Sequence, residues 1–238
     1  MPKIAIIGGS GVEKLDFAGK MRPLIVTTPY GSVPVELGKV AGREVVFLLR
    51  HGKEYRLPSE INYRANITAL KLAGVTGIIS SAAVGAINQQ MKPGDLSLLT
   101  DFIDFTRGKR ETFTSHSFID MSRPYDPGLN GRIAKAAKAL KIKLHPGAVY
   151  ACAEGPRFET KAEIRMYGQA GADVVGMTQV PEVVLAAEAG IPYAAIAVIT
   201  NYAAGVTAGK IDPDHVVAMM RRCSAQLSRL IARTITSR

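Results

Sequence analysis

Seven short apolar runs recur along this chain, and the residues between them repeat at helical spacing. The runs are Ile4–Ile7, Val45–Leu49, Gly77–Ala83, Leu96–Leu99, Ala148–Ala151, Asp173–Gly176 and Tyr193–Ile199. Several are apolar at consecutive positions, the pattern of strands buried on both faces of a sheet. Strands that alternate with helices from end to end admit few architectures, and the pattern predicts a layered α/β domain around a central sheet. A chain of 238 residues, 47% of them hydrophobic, fits one such domain over 1–238, and no linker divides it.

The helices carry their own start and stop signals. Glu60 to Leu72 places Ile61, Ala65, Ile67, Ala69 and Leu72 near one face, and Gly74 stops it. Leu129 to Leu140 sets Ile133, Ala136, Ala137 and Leu140 against a lysine-bearing side. Pro181 to Ala189 opens on a first-turn proline and closes at Gly190. A last helix is expected to begin at Asp212-Pro213, with Asp212 as its cap, and to run to about Thr234. The polar stretch from Asp101 to Asp126 breaks the alternation and reads as a long loop, which in a compact domain is usually functional or at an interface.

Charge and cysteine usage narrow the function classes. The formal charge of +10 suits nucleic acid or an anionic small ligand. The basic residues are spread over helical faces, however, without the interleaved aromatics that stack bases, so no nucleic-acid partner is expected. Cys152 and Cys223 match no metal spacing and read as reduced structural thiols, which suits a reducing compartment. The N-terminal apolar stretch is too short for a signal sequence and no run is long enough to span a bilayer, so a cytoplasmic protein is expected.

Five polar segments sit where apolar runs end. Ile7-Gly8-Gly9-Ser10-Gly11 is a strand running into a glycine-rich turn, whose backbone N–H groups and Ser10 hydroxyl can approach an anion. An ordinary tight turn is the other reading, and Lys14 at the third glycine position leaves the dinucleotide fingerprint incomplete. Arg50-His51-Gly52 puts two donors at a strand end, suited to phosphate or simply solvated. In Glu154-Gly155-Pro156-Arg157-Phe158-Glu159-Thr160, Phe158 can stack on a flat ring and Glu159 offers an acceptor. Gly176-Met177-Thr178-Gln179-Val180-Pro181-Glu182 turns into a helix with Thr178 toward any anion there. In Thr200-Asn201-Tyr202-Ala203, the Asn201 amide both donates and accepts. Polar groups gathered at strand ends are how ligand sites on α/β sheets are built.

Together with Thr28-Pro29-Tyr30-Gly31, Asn62-Tyr63-Arg64-Ala65-Asn66 and Pro93-Gly94-Asp95, these segments resemble the purine nucleoside phosphorylase superfamily over nearly the whole chain. Within it the pattern is most similar to the methylthioadenosine and methylthioinosine phosphorylases. The resemblance implies a single-domain, three-layer α/β/α fold with a central mixed twisted sheet. It implies a pentosyltransferase that splits a purine nucleoside with inorganic phosphate as co-substrate, needing neither cofactor nor metal. Ser10, Arg50, His51, the backbone at Ala83 and Thr178 would hold phosphate; Ala82 stands where related enzymes often carry a polar residue. Met177 would lie under the ribose, Phe158 would face the base, and Glu159 would accept from a purine N1–H. Asn201 would be the catalytic contact to N7 and the 6-substituent, with Tyr202 and Ala203 beside it. Asn201 and Ala203 stand where adenine-type relatives carry aspartates, so a 6-oxopurine is expected. His215 would meet a 5′-hydroxyl, whereas Pro213 in its place would wall a methylthio group. The His116-Ser117-Phe118 loop would reach a neighbour's substrate in a homotrimer or trimer-based hexamer.

Overall fold

The structure is a computed structural model that describes residues 3–10, 12, 21–108, 112–113 and 118–237. In chain order the elements are β1 (Ile4–Gly8), β2 (Arg22–Thr28), β3 (Gly31–Val40), β4 (Arg43–Leu49), α1 (Tyr63–Leu72), β5 (Gly77–Ala86), β6 (Leu96–Asp104), α2 (Pro127–Leu140), β7 (Leu144–Cys152), α3 (Lys161–Gln169), β8 (Val174–Gly176), α4 (Gln179–Glu188), β9 (Tyr193–Tyr202) and α5 (Pro213–Thr236). All seven apolar runs are strands. β1 shows how they build layers: Ala5 and Ile7 face one cluster with Ile67 and Leu70 of α1 and Val183 and Leu185 of α4. Ile4 and Ile6 face the other, with Ile133 of α2 and Leu227, Leu230 and Ile231 of α5. Successive side chains of a strand point to opposite faces, so the sheet is covered on both. The result is the expected three-layer α/β/α arrangement on a mixed sheet.

The strand order is β2-β3-β4-β1-β5-β8-β7-β6-β9, and β9 pairs back onto β5. Thus β5, β8, β7, β6 and β9 close into a ring, and β1, β4, β3 and β2 extend from it as an open arm. β1, β4, β5 and β9 are parallel, so their C-terminal ends emerge on one side. β8 runs against β5 with Val175 opposite Gly85, which brings residues 176–178 back to the same level. On one edge of β5, β1 pairs with residues 77–80 and β8 with residues 85–86. The gap between them, at residues 81–84, is where the strand ends converge.

Two features departed from expectation. β2 and β3 form a hairpin with no counterpart among the apolar runs, because Pro23, Pro34 and Gly38 interrupt it and alternate residues of β3 are exposed. Pro34 is tolerated because it pairs only with Ile25, the β3–β4 ladder starting at Glu36. The loop expected from Asp101 also begins later: Asp101 to Asp104 pair with β7 as the exposed end of β6. The helix signals operate locally. Asp126 caps α2 and Asp212 caps α5 through their side chains. α3 carries a full capping box between Thr160 and Glu163. Val180 still lies outside helical geometry, so regular helix in α4 starts at Pro181. No helix among the described residues is long and apolar enough to cross a membrane.

Candidate active site

The converging strand ends line a cavity of about 370 Å3. One end of it gathers groups whose chemistry suits an anion. Ser10 follows β1, Arg50 and His51 follow β4, Ala83 lies in β5, and Thr178 follows β8. Gly9 lets β1 approach: a Cβ there would sit 2.7 Å from Arg50 Nη1 and 3.0 Å from the Ser81 carbonyl oxygen. Its N–H donates to the Ser81 hydroxyl at 3.1 Å, fastening the turn to β5. Ser81 turns its carbonyl into the gap in the β5 edge, and strand alternation turns the backbone of Ala83 the same way. Ala82 faces the core instead. The Thr178 hydroxyl makes no capping bond at the start of α4 and borders the cavity.

Behind this end lies a buried polar network. Arg50 and Glu182 are 1% and 0% exposed in their side chains and pair at 2.7 Å (Nε to Oε2) and 2.8 Å (Nη2 to Oε1). The Tyr193 hydroxyl donates to Glu182 Oε1 at 2.5 Å, and the Gln179 amide donates to the Ser80 hydroxyl at 3.4 Å. Burial alone disfavours the guanidinium charge, but the Glu182 carboxylate outweighs it and holds Arg50 protonated. His51 Nδ1 lies 2.8 Å from the Arg56 carbonyl, which can only accept, so that nitrogen carries the proton. Tyr55 stacks on His51 with centroids 4.8 Å apart, and its hydroxyl shares a 2.5 Å hydrogen bond with Ser10.

The other end presents a carboxylate, an amide and an aromatic ring. Glu159 is only 8% exposed, and its Oε1 has no hydrogen-bond partner among the described residues. Burial pushes this carboxyl above the ordinary glutamate range, and the nearby Glu163 carboxylate pushes the same way. Phe158, at 38% exposure, lies beside it on the cavity wall. Both precede α3, whose capping box and Arg157–Glu163 pair (2.8 and 2.7 Å) fix the segment's exit. Asn201 is set by an irregularity in the β5–β9 ladder, where Val84 pairs with Ile199 but Gly85 pairs with Asn201. The Thr200 hydroxyl donates to Asn201 Oδ1 at 2.7 Å, and Asn201 Nδ2 donates to the Tyr202 carbonyl at 2.9 Å. Because that carbonyl can only accept, the amide orientation is fixed, with the second Nδ2 N–H left for a ligand. Met177 and Ala203 complete the wall between the ends.

A third side is apolar: Leu57, Pro58, Ile211, Pro213, Val216 and Val217. Pro213, Val216 and Val217 are at i, i+3 and i+4 of α5 and share its inward face. His215, expected at the substrate, is turned away by the same periodicity. Its side chain is 85% exposed and lies 3.7 Å from Asp212. Tyr202 also does not line the cavity: strand alternation sends it to the opposite side from Asn201, and only its carbonyl serves the site. Gly11, His116 and Ser117 lie outside the described residues. The structure thus gathers Ser10, Arg50, His51, Ala83, Thr178, Met177, Phe158, Glu159, Asn201 and Ala203 around one cavity, and leaves out Tyr202 and His215. Sequence reasoning missed Tyr55, which nothing local marks, and the partners of Arg50. Locally, Pro181-Glu182 reads as a helix start within the Gly176–Glu182 motif, with nothing to tie Glu182 to Arg50.

A family model for the phosphorylase superfamily matches residues 3–236. The 6-oxopurine nucleoside phosphorylase of Pyrococcus furiosus is 46% identical, covering 99% of this chain and 92% of its own. An S-methyl-5′-thioadenosine phosphorylase of Thermofilum pendens is 43% identical, again covering 99% of this chain and 92% of its own. A solved variant of the adenosine/methylthioadenosine phosphorylase of Schistosoma mansoni, in complex with methylthioadenosine, superposes with a TM-score of 0.94. It is 30% identical, with 99% of this chain and 91% of that one covered. With fold, cavity and full-length likeness in agreement, this chain belongs to the phosphorylase superfamily.

Proposed function

We propose that this chain is a purine nucleoside phosphorylase that cleaves 6-oxopurine nucleosides, with S-methyl-5′-thioinosine as the favoured substrate. Phosphate sits among Ser10, Arg50, His51, the Ala83 backbone and Thr178. The sugar lies over it against Met177, and the base lies between Phe158, Glu159 and Asn201. A phosphate oxygen forms a bond to C1′ as the C1′–N9 bond breaks, and the bonding pair leaves with the purine. Positive charge building on the sugar is stabilised by the phosphate beneath it. Negative charge building on the purine is met at N7 by the remaining Asn201 N–H. Holding both substrates in one cavity supplies the rest through proximity. The carrying observation is a single cavity with an anion-lined end and, opposite it, a buried carboxylate whose Oε1 has no partner among the described residues, beside an oriented amide.

The base preference rests on Glu159. An ionised carboxylate accepts from the N1–H of hypoxanthine or guanine, whereas adenine has no N1–H to give. Burial favours a second reading in acid: a protonated Glu159 donates to N1 of adenine, which would give S-methyl-5′-thioadenosine phosphorylase activity. The 5′ preference rests on the apolar face of α5 and on the outward turn of His215. Assembly as a homotrimer or trimer-based hexamer is supported by exposed Phe118 and Ile119. Cytoplasmic residence is supported by the thiol form of Cys152 and Cys223, both buried, and a part in purine salvage would follow from release of the free base. Sedimentation of the active species tests the assembly.

A substrate panel crossing hypoxanthine, guanine and adenine with 5′-hydroxyl and 5′-methylthio sugars, with and without phosphate, tests the whole. Free base and a sugar 1-phosphate are expected only with phosphate, fastest from methylthioinosine. Base release independent of phosphate would reject phosphorolysis, and a clear preference for adenine nucleosides at neutral pH would reject the 6-oxopurine assignment.

A further inference from the structure

Arg50 carries five N–H donors. Nε and one N–H of Nη2 go to Glu182, the second of Nη2 goes to the Ser80 hydroxyl at 2.5 Å, and one of Nη1 goes to the Ser81 carbonyl at 2.8 Å. The fifth, on Nη1, has no acceptor among the described residues, and Nη1 is the atom against the β1 glycine turn at the anion end. Glu182 does not border the cavity. It is held from behind by the hydroxyls of Tyr193 at 2.5 Å and Ser80 at 3.3 Å. An anion entering the site therefore meets a rigid, neutral pair that offers one hydrogen bond, not a lone guanidinium with its full charge.

We propose that Glu182 is a positioning residue that aims this one Arg50 N–H at phosphate and cancels the guanidinium charge. The grip on phosphate, and on the sugar 1-phosphate that replaces it, thereby stays weak enough for turnover. The inference rests on phosphorolysis as the reaction. Both substrate and product are anions anchored by the same phosphate group. Charge added behind the site tightens both, and tighter product binding slows release. If Glu182 served only to fill the core, replacing it with glutamine would not strengthen anion binding.

The test is calorimetric titration of the full chain with inorganic phosphate, without nucleoside, alongside single-turnover and steady-state rates. Glu182→Gln keeps the side-chain shape and removes the compensating charge. It is expected to bind phosphate tighter by about tenfold or more, the direction Coulomb's law gives for an unmasked cation. Its first turnover should outrun its steady state. Equal or weaker phosphate binding by folded Glu182→Gln would overturn the proposal. Because a buried unpaired charge can prevent folding, Arg50→Met with Glu182→Met is the second variant: apolar replacement of both partners is often neutral for stability. With a neutral pair lost, phosphate affinity should fall by about 150-fold at most, the worth of a single hydrogen bond to a charged group. A larger loss would show that Arg50 acts as a full cation and would also overturn the proposal. Should Glu182→Gln fail to fold, the double variant alone decides. A wild-type chain that binds phosphate but releases no base would sink phosphorolysis instead, with the binding comparison still standing.

Discussion

Replacing Glu159 by glutamine changes one charge at the point where base selection is argued to occur. Oε1 has no partner among the described residues, so none of them compensates when its ligand is lost. A hydrogen bond to a charged group contributes about 1.5–3 kcal/mol, so kcat/KM for inosine-type substrates should fall roughly ten- to 150-fold. Adenosine-type substrates should lose little or gain, because the amide N–H can donate to N1. The pH profile supplies a second readout. Burial raises the Glu159 carboxyl above the ordinary glutamate range. Only the ionised form accepts from N1–H, so wild-type kcat/KM should rise with pH along an acid limb above about 4.3, the usual glutamate value. Glu159→Gln should lack that limb. Stability follows the same sign. A carboxyl raised in the folded state favours folding below its unfolded pKa, and that contribution is lost as pH rises through the folded value. The variant should therefore melt higher than wild type near neutral pH and converge with it in acid. Steady-state kinetics with methylthioinosine and methylthioadenosine across pH, paired with thermal melts, make the measurement. An unchanged base preference with the acid limb intact would refute the role given to Glu159.

Other substitutions test the remaining contacts. Asn201→Ala should lower kcat by roughly 10²–10³-fold, the usual effect of one lost transition-state donor, as measured by single-turnover base release. Ser10→Ala removes one hydroxyl from the anion end. It should raise KM for phosphate about two- to tenfold at constant KM for nucleoside, read by varying each substrate separately. His215→Ala should leave kcat/KM for inosine and methylthioinosine within about twofold, as expected for an exposed surface position; a selective loss on inosine would return this histidine to the 5′ site. Thr160→Ala breaks the α3 capping box and should destabilise the fold by about 1 kcal/mol in a denaturant titration, raising nucleoside KM as Phe158 and Glu159 loosen.

Much of this was legible in residue order. Strands such as Tyr193–Tyr202 announce themselves because burial on both faces demands consecutive apolar residues, and Asp126, Asp212 and Pro181 mark helix starts because backbone donors need partners there. Strand ends then deliver Ser10, Arg50, Thr178 and Asn201 to one place. The hairpin Arg22–Val40 was hidden because a half-exposed antiparallel pair shows only weak alternation, broken by two prolines and a glycine. Glu182 was hidden because its partner is 132 positions away, and no local pattern reports a long-range ion pair. His215 and Pro213 differ by two positions, and only the rotation of a formed helix decides which faces inward.

The cavity straddles the closed ring and the open arm, and these differ mechanically. Every ring strand is bonded on two sides, whereas the arm ends at β2, an edge with Ile25 69% exposed, and can unzip inward from there. Amide hydrogen exchange should accordingly be slowest in β5 and β9 and faster in β3 and β4, since local opening starts where fewest bonds must break. Ser10, Arg50 and His51 belong to the arm, while Asn201 and Thr178 belong to the ring. Phosphate bound as proposed would act as a clasp between them, protecting β4 far more than β9, so that the half which breathes would be quieted by the co-substrate itself.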